Sequence, residues 1–437
     1  VNTLTNQTSG ISCTAFGTNA LAANTSGPYN SSFGAGALQS NTTGLYNSAF
    51  GAGALSSITT DQQCCAFGFN ALNVNVGGGN TAIGASAMIS NTTGTANVAL
   101  GKGALAQNVS NNGCVAVGDS ALRTTTSDFN VGVGISSLEY CTTGTSNIAF
   151  GGYSLYVAGA GSYNVAIGHE SLSANIASNN IAIGHRSLVA NTSGTNMVAI
   201  GVNALASNVT HSNNLAIGNS ALTLATATGN VAVGPNSGQV ITTGGSNVLM
   251  GYLSGRMITT GSGNTCIGNG VSNVLSTGSN NICIGSGVGN VLTTGSNNIY
   301  IGLNGNSATD ANVCKIGSIR GVTTASITAI PVLIDVNGQL GTISSVRSVK
   351  ENIVDMDKNI NATIVKNLKP RRFDYKSGHG EYQQYGLIVD EVQGICDDLV
   401  AKDENGEACT IYYQNLPMIL LAEVQRLQAI IERAGLV

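Results

Sequence analysis

Apolar and polar positions recur along most of this chain in a unit of 16 or 17 residues. Its core reads Asn-x-Ala-(Ile/Val/Phe/Leu)-Gly, as in NVALG (Asn97–Gly101), NIAFG (Asn147–Gly151) and NVAIG (Asn164–Gly168). The closing Gly stands at 17, 34, 51, 68, 84 and 101, continues at that spacing to 302, and returns more weakly at 317. Alternation in the x-Ala-Ile run predicts a short strand with one face inward. A second apolar point follows four residues after the Gly, at Leu38, Leu55, Leu105, Leu122, Leu172, Leu188 and Leu205. It is expected to centre a second strand-like run. NTTG or NTSG at Asn41, Asn91 and Asn191 supplies a reverse turn. With CTTG at Cys141 and ITTG at Ile241, these signatures fall 50 residues apart, so three coils form a higher-order unit.

One such unit cannot bury its own apolar face, so successive units must stack. The fold class expected is mainly β: a parallel β-solenoid (β-roll) shaft with 16–17-residue coils. Gly allows a tight corner or close backbone approach. Asn fills the slot four before the Gly in 14 of 19 units, which calls for a hydrogen-bonded ladder between coils. Eighteen coils at about 4.8 Å would make a rod on the order of 85 Å. From Gly234 onward the Leu slot becomes Gly238, Gly255 or Ser272, and apolar pairs move towards the turn. A triple β-spiral, each unit a hairpin shared among three chains, is the alternative fold.

Composition fits a narrow core. Charged residues are 9% of the 437, Trp is absent and Gly numbers 58, so a deep core of large side chains is excluded. Residues 1–341 hold six Lys/Arg and seven Asp/Glu, and the last 96 hold eleven and fourteen. Two physical regimes therefore meet near residue 341. The net charge of −4 and the lack of a basic run argue against nucleic acid as a partner. No apolar run reaches the roughly 18–20 residues of a membrane span. The chain opens on Val1 and is in the repeat within about ten residues, which reads as a processed or partial amino terminus.

Little catalytic chemistry is legible in the repeat. Gly101-Lys102-Gly103 lacks phosphate-loop spacing and lies in the common Gly-x-Gly-Ala-Leu slot. Glu139 and Glu170 are isolated, which weighs against a glycoside-cleaving enzyme. His169 and His185 occupy equivalent places on consecutive coils. They read as exposed polar residues beside a Glu170–Arg186 cross-coil pair, with a metal site as the alternative; no metal and no cofactor is expected. Turn tyrosines (Tyr29, Tyr46, Tyr140, Tyr153, Tyr156, Tyr163) are candidates for contact with a receptor or glycan. Cys13, Cys64 and Cys114 stand in the Asn slot and Cys266 and Cys283 in the Ala slot. They are expected to be free, small and buried, although Cys266 and Cys283 are one coil apart and a bridge stays open.

The chain then changes character. Val332–Val336 followed by Asn337-Gly338 predicts a strand and tight hairpin turn. RRFDY (Arg371–Tyr375), YGLIVDEV (Tyr385–Val392) and TIYYQNL (Thr410–Leu416) follow, and a helix is expected over about 417–433. Pro417 suits its first turn. Leu420, Val424, Leu427 and Ile431 step 4, 3, 4 along it, an a/d seam of two heptads.

The repeat, over roughly residues 10–305, resembles the heads of trimeric autotransporter adhesins and the fibres of bacteriophages and giant viruses. The tail, about residues 331–437, resembles the endosialidase-type intramolecular chaperone, the self-cleaving end domain of phage tail spikes. The matching elements are NGQLGTISS, Ser345 with Lys350, KENI, the Pro-Arg-Arg-Phe-Asp-Tyr run, YGLIVDEV and the apolar terminal helix. The resemblance implies a homotrimer and a single self-cleavage between Ser344 and Ser345, with Ser345 as nucleophile and Lys350 as base. Where the family has Asp or Ser after the nucleophile and Arg three after it, this chain has Val346 and Ser348, with Arg347 one place early.

The organisation expected is a solenoid shaft (1–305), a junction with a β-hairpin (306–344) and a small α/β chaperone and trimerisation domain (345–437). The function expected is a trimeric fibre on a virion surface or otherwise extracellular, attaching to a host receptor or glycan. The alternatives are a bacterial trimeric surface adhesin and an uncleaved structural filament.

Overall fold

The structure, a computed structural model, describes residues 3–319, 332–334, 339–342, 346–376, 383–403 and 405–435. The chain divides into two compact units, Val1–Val322 and Thr323–Val437.

The first unit is a parallel β-solenoid. It holds nineteen strands of three residues, from β1 (Thr14–Phe16) to β19 (Cys314–Ile316). Each pairs in parallel register with the strand one coil on, as Val165↔Ile181, Ala166↔Ala182 and Ile167↔Ile183 show. The middle residue of each strand faces inward. Ala49, Ala66, Ala82, Ala99 and Ala116 are fully buried, while their strand neighbours stay partly or well exposed.

From Gly17 to Gly268 each strand is followed by a Gly at which a Cβ would overlap the backbone of the next coil. Gly118 has φ +136°, and a Cβ there would lie 2.5 Å from the Gly134 carbonyl oxygen of the next coil. The same overlap recurs along the column of Gly residues. Close approach of backbones and a left-handed φ therefore act together.

The expected second strand is not one. The segment after each Gly is a run of turns, and the seven Leu named above have φ between 48° and 53°. A left-handed conformation at Leu costs roughly 1–2 kcal/mol. Complete burial of the side chain, worth about 1.5–3 kcal/mol, offsets it. The turn run is also laddered to its neighbour: Leu38 N–H donates to the Ala54 carbonyl (3.0 Å) and Leu55 N–H to that of Ala71 (3.1 Å). A residue in this conformation cannot belong to an extended strand, but it can still pass hydrogen bonds from coil to coil.

The Asn slot forms the ladder its spacing predicts. The Asn164 N–H donates to Asn147 Oδ1 (2.9 Å), and its side-chain amide donates to the same oxygen (3.1 Å) and to the Ala177 carbonyl (2.8 Å). Buried amides need several partners, and this arrangement provides them inside an apolar core. Where Cys64 and Cys114 interrupt the column, their N–H groups still donate to Asn47 and Asn97, and their thiols turn to the Gly77 and Ser127 carbonyls. Asn91, Asn108 and Asn208, which sit in glycosylation sequons, are fully buried.

The change beyond Gly234 is an exchange of volume. Leu249 and Cys266 replace the strand Ala, while Gly238 and Gly255 replace the Leu. A Cβ on either Gly would come within 2.7 Å of the Leu249 side chain. Large and small residues have traded places across one core, so packing density is kept.

All ten cysteines are free. Cys266 and Cys283 are register partners in β16 (Thr265–Ile267) and β17 (Ile282–Ile284). Burial pushes the Cys266 thiol up to about 12, and Cys114 and Cys141 up to about 11. Iodoacetamide at mildly alkaline pH is therefore expected to label exposed Cys314 and Cys409 in the folded chain and to spare these three, as peptide mass mapping would show. Gly118→Ala should cost on the order of 3 kcal/mol. Hydrogen exchange is the measure, and loss of protection should centre on the two coils that the new methyl group would force apart.

Candidate functional site

The second unit carries the chemistry that the sequence singled out. After the antiparallel pair β20 (Leu333–Ile334) and β21 (Leu340–Gly341), a single 3-10 turn spans Arg347–Val349. Lys350 follows it, exposed and extended, its N–H donating to the Arg347 carbonyl (3.2 Å). Ser344, Ser345 and the Asn337-Gly338 turn lie outside the described residues.

Helix α1 (Lys358–Asn367) leads to β22 (Arg371–Phe373), which pairs antiparallel with β23 (Gln384–Gly386). Arg371 closes a two-pronged ion pair on Glu391 of α2 (Val389–Gln393), at 3.0 and 2.7 Å. Hydrogen bonding to Arg371 holds the Glu391 carboxyl below its ordinary range. A second tie joins distant segments: the Tyr413 hydroxyl accepts the Leu387 N–H at 3.0 Å. Neither tie is legible in spacing, since the partners lie 20 and 26 residues apart.

The pair β24 (Val400–Lys402) and β25 (Ala408–Ile411) precedes the last helix, α3 (Leu416–Arg433), with Pro417 in its first turn. A small core gathers Ile364, Val392, Leu399, Val400, Ile411 and Ile419. This arrangement spends only one edge of α3. The whole a/d seam faces outward: Leu420 is 50% exposed, Val424 58%, Leu427 45% and Ile431 41%. Among the described residues no helix is long and apolar enough to cross a membrane.

On the shaft, side chains from several coils converge at one place. Tyr140 packs edge-on against Tyr156 (5.1 Å), Tyr156 against Tyr153 (5.6 Å), Tyr153 against His169 (5.9 Å), and His169 stacks on His185 (5.7 Å). Both glutamates of the shaft belong here: Glu139 pairs with Arg123 (3.2 Å), and Glu170 with Arg186 (3.7 Å) as its cross-coil position predicts. Tyr29 and Tyr46 form a separate stack at 5.3 Å. The Lys102 segment is ordinary coil backbone, with the Lys102 carbonyl accepting the Ser120 N–H at 3.0 Å.

Residues 345–401 match the family model described as chaperone of endosialidase, so this stretch is similar to that domain. No curated protein and no solved structure matches the chain. A parallel β-solenoid followed by this domain fits a phage fibre with an endosialidase-type chaperone.

Proposed function

We propose that the chain is a homotrimeric fibre of a virus particle, residues 1–305 forming the shaft and 345–437 a chaperone that directs trimer assembly. One observation carries this reading. Two apolar surfaces stand open where a single chain would be expected to cover them. The first is the α3 seam. The second is the outer row of the solenoid sheet, where Phe16, Phe67, Leu100, Phe150 and Met250 occupy equivalent strand positions and are exposed. Scattered exposed apolar residues are ordinary, but continuous rows of this length mark contact surfaces. Two further copies of the chain are the occupants a repeating rod fits best, because each coil meets an identical coil at the same height. Attachment to a host receptor or glycan, at a virion surface, completes the reading.

Self-release is the second part of the proposal. Ser345 Oγ attacks the Ser344 carbonyl carbon, and Lys350, held neutral, takes the hydroxyl proton and returns it to the departing Ser345 amine. Water then hydrolyses the resulting ester, leaving the Ser344 carboxylate and a free Ser345. Neutral lysine requires burial or a nearby cation. The exposed Lys350 of the single chain agrees with a cut that waits for assembly.

Intact mass of the freshly folded chain tests this directly. The expected product ends at Ser344 and is absent from Ser345→Ala and Lys350→Ala. An uncut trimer would make the tail a permanent cap and remove the proteolysis. An uncut monomer would remove the fibre account altogether. Leu427→Asp puts a charge into the seam without touching the small core. It should convert the trimer to lower-mass species in light scattering while leaving the circular dichroism of the chain essentially unchanged. A trimer that survives it would exclude the α3 seam as the contact.

A further inference from the structure

The strongest unassigned chemistry lies at coils ten and eleven of the shaft. His169 and His185 follow the Gly of consecutive coils, and backbone pairing fixes their separation: the Arg186 N–H donates to the His169 carbonyl and the Asn203 N–H to that of His185, each at 3.0 Å. The two imidazoles stand face to face, 18° from parallel. Glu170 occupies the next position on the same corner in a left-handed conformation (φ 57°). This sends its carboxylate back across the pair. Its Oε1 lies 3.8 Å from His169 Nδ1, and its Oε2 lies 3.7 Å from Arg186 Nε. One donor atom from each of His169, Glu170 and His185 falls within 4.8 Å of the others.

We propose that these three residues form a binding site for a borderline divalent transition-metal ion, of the zinc, nickel or cobalt class. Two imidazole nitrogens and one carboxylate oxygen are the donor set such ions favour. Bond lengths of about 2.0–2.2 Å require donors roughly 3 Å apart, so the approach needed is one that half-exposed side chains make by rotation alone. The register of the solenoid holds the Cα positions, so the site is built on regular backbone and not on a free loop. Arg186 Nε, 3.7 Å from Oε2, attracts that oxygen by charge and leaves Oε1 for the metal. Tyr153 packs edge-on against the His169 ring at 5.9 Å. Without a metal the same residues look like a surface ion pair beside two polar rings, which is why spacing alone favoured that reading. The site is complete within one chain and does not depend on how copies assemble.

The test is calorimetric titration of Ni²⁺ into the tag-free full chain, beside the His169→Ala/His185→Ala double variant and Glu170→Gln. These side chains are on the surface, so the variants keep the fold, and circular dichroism checks it. The wild-type chain should bind one equivalent per chain that the double variant lacks. Glu170→Gln should keep the stoichiometry and weaken affinity by at least about tenfold, as loss of an oriented donor does. Because the chain holds free cysteines, Co²⁺ absorption serves as a second reading. Visible bands without thiolate charge transfer, absent from the double variant, support the site. Equal titrations of wild type and double variant, no Ni²⁺ uptake at millimolar metal, or a thiolate spectrum would each overturn it.

Discussion

The shaft depends on one distance, the interval of about 4.8 Å between hydrogen-bonded strands. Every coil must present the next with the same backbone groups at that interval, and the Gly column is where it binds hardest. There the approach leaves no volume for a Cβ, so the residue type is forced by the neighbour one coil away and not by local preference. The Asn ladder and the stacked Leu-bearing turns obey the same interval. Each Asn N–H donates to the Asn side chain one coil back, and each Leu N–H to the carbonyl of the residue just before the Leu one coil on. A side chain in this fold therefore meets mostly copies of itself.

That self-stacking explains both the narrow core and the unusual surface. A cross-section filled by Ala, Leu and Asn has no room for a deep pocket, so whatever the shaft does it does from outside. Strand residues on either side of the buried Ala face outward, and many of them are apolar. A row repeated on nineteen strands accumulates into a surface that a single chain leaves open. Charge is sparse along the shaft, and where it concentrates, around Glu139, Glu170 and Arg186, it coincides with the longest run of packed rings. The tail follows different rules. Its core is small, its sheets have two strands each, and long-range ties such as Arg371–Glu391 and Leu387–Tyr413 do the work that periodicity does in the shaft.

Much of the shaft was legible in advance because its partners are one period apart. The parallel register, the Asn ladder and the cross-coil pair Glu170–Arg186 all follow from position within the unit. The Leu segment reads as a second strand in the sequence, yet folds as a turn, for a physical reason. Apolar residues at regular spacing report burial, and a left-handed Leu buries its side chain as well as an extended one. In the tail, the terminal helix and its seam were readable from the 4, 3, 4 spacing, whereas Ser345 lies outside the described residues and its partnership with Lys350 stands on resemblance.

The sequence by itself determined the period, the Asn slot that ladders between coils and the charge break near residue 341, because each of these repeats or changes along the chain. Tertiary structure alone decided what meets at a corner: which carboxylate oxygen faces an imidazole, how Tyr140, Tyr156, Tyr153 and His169 join into one run, and which edge of the last helix stays uncovered. Those outcomes depend on rotation about the coil axis and on side-chain direction. A repeat length carries no information about either.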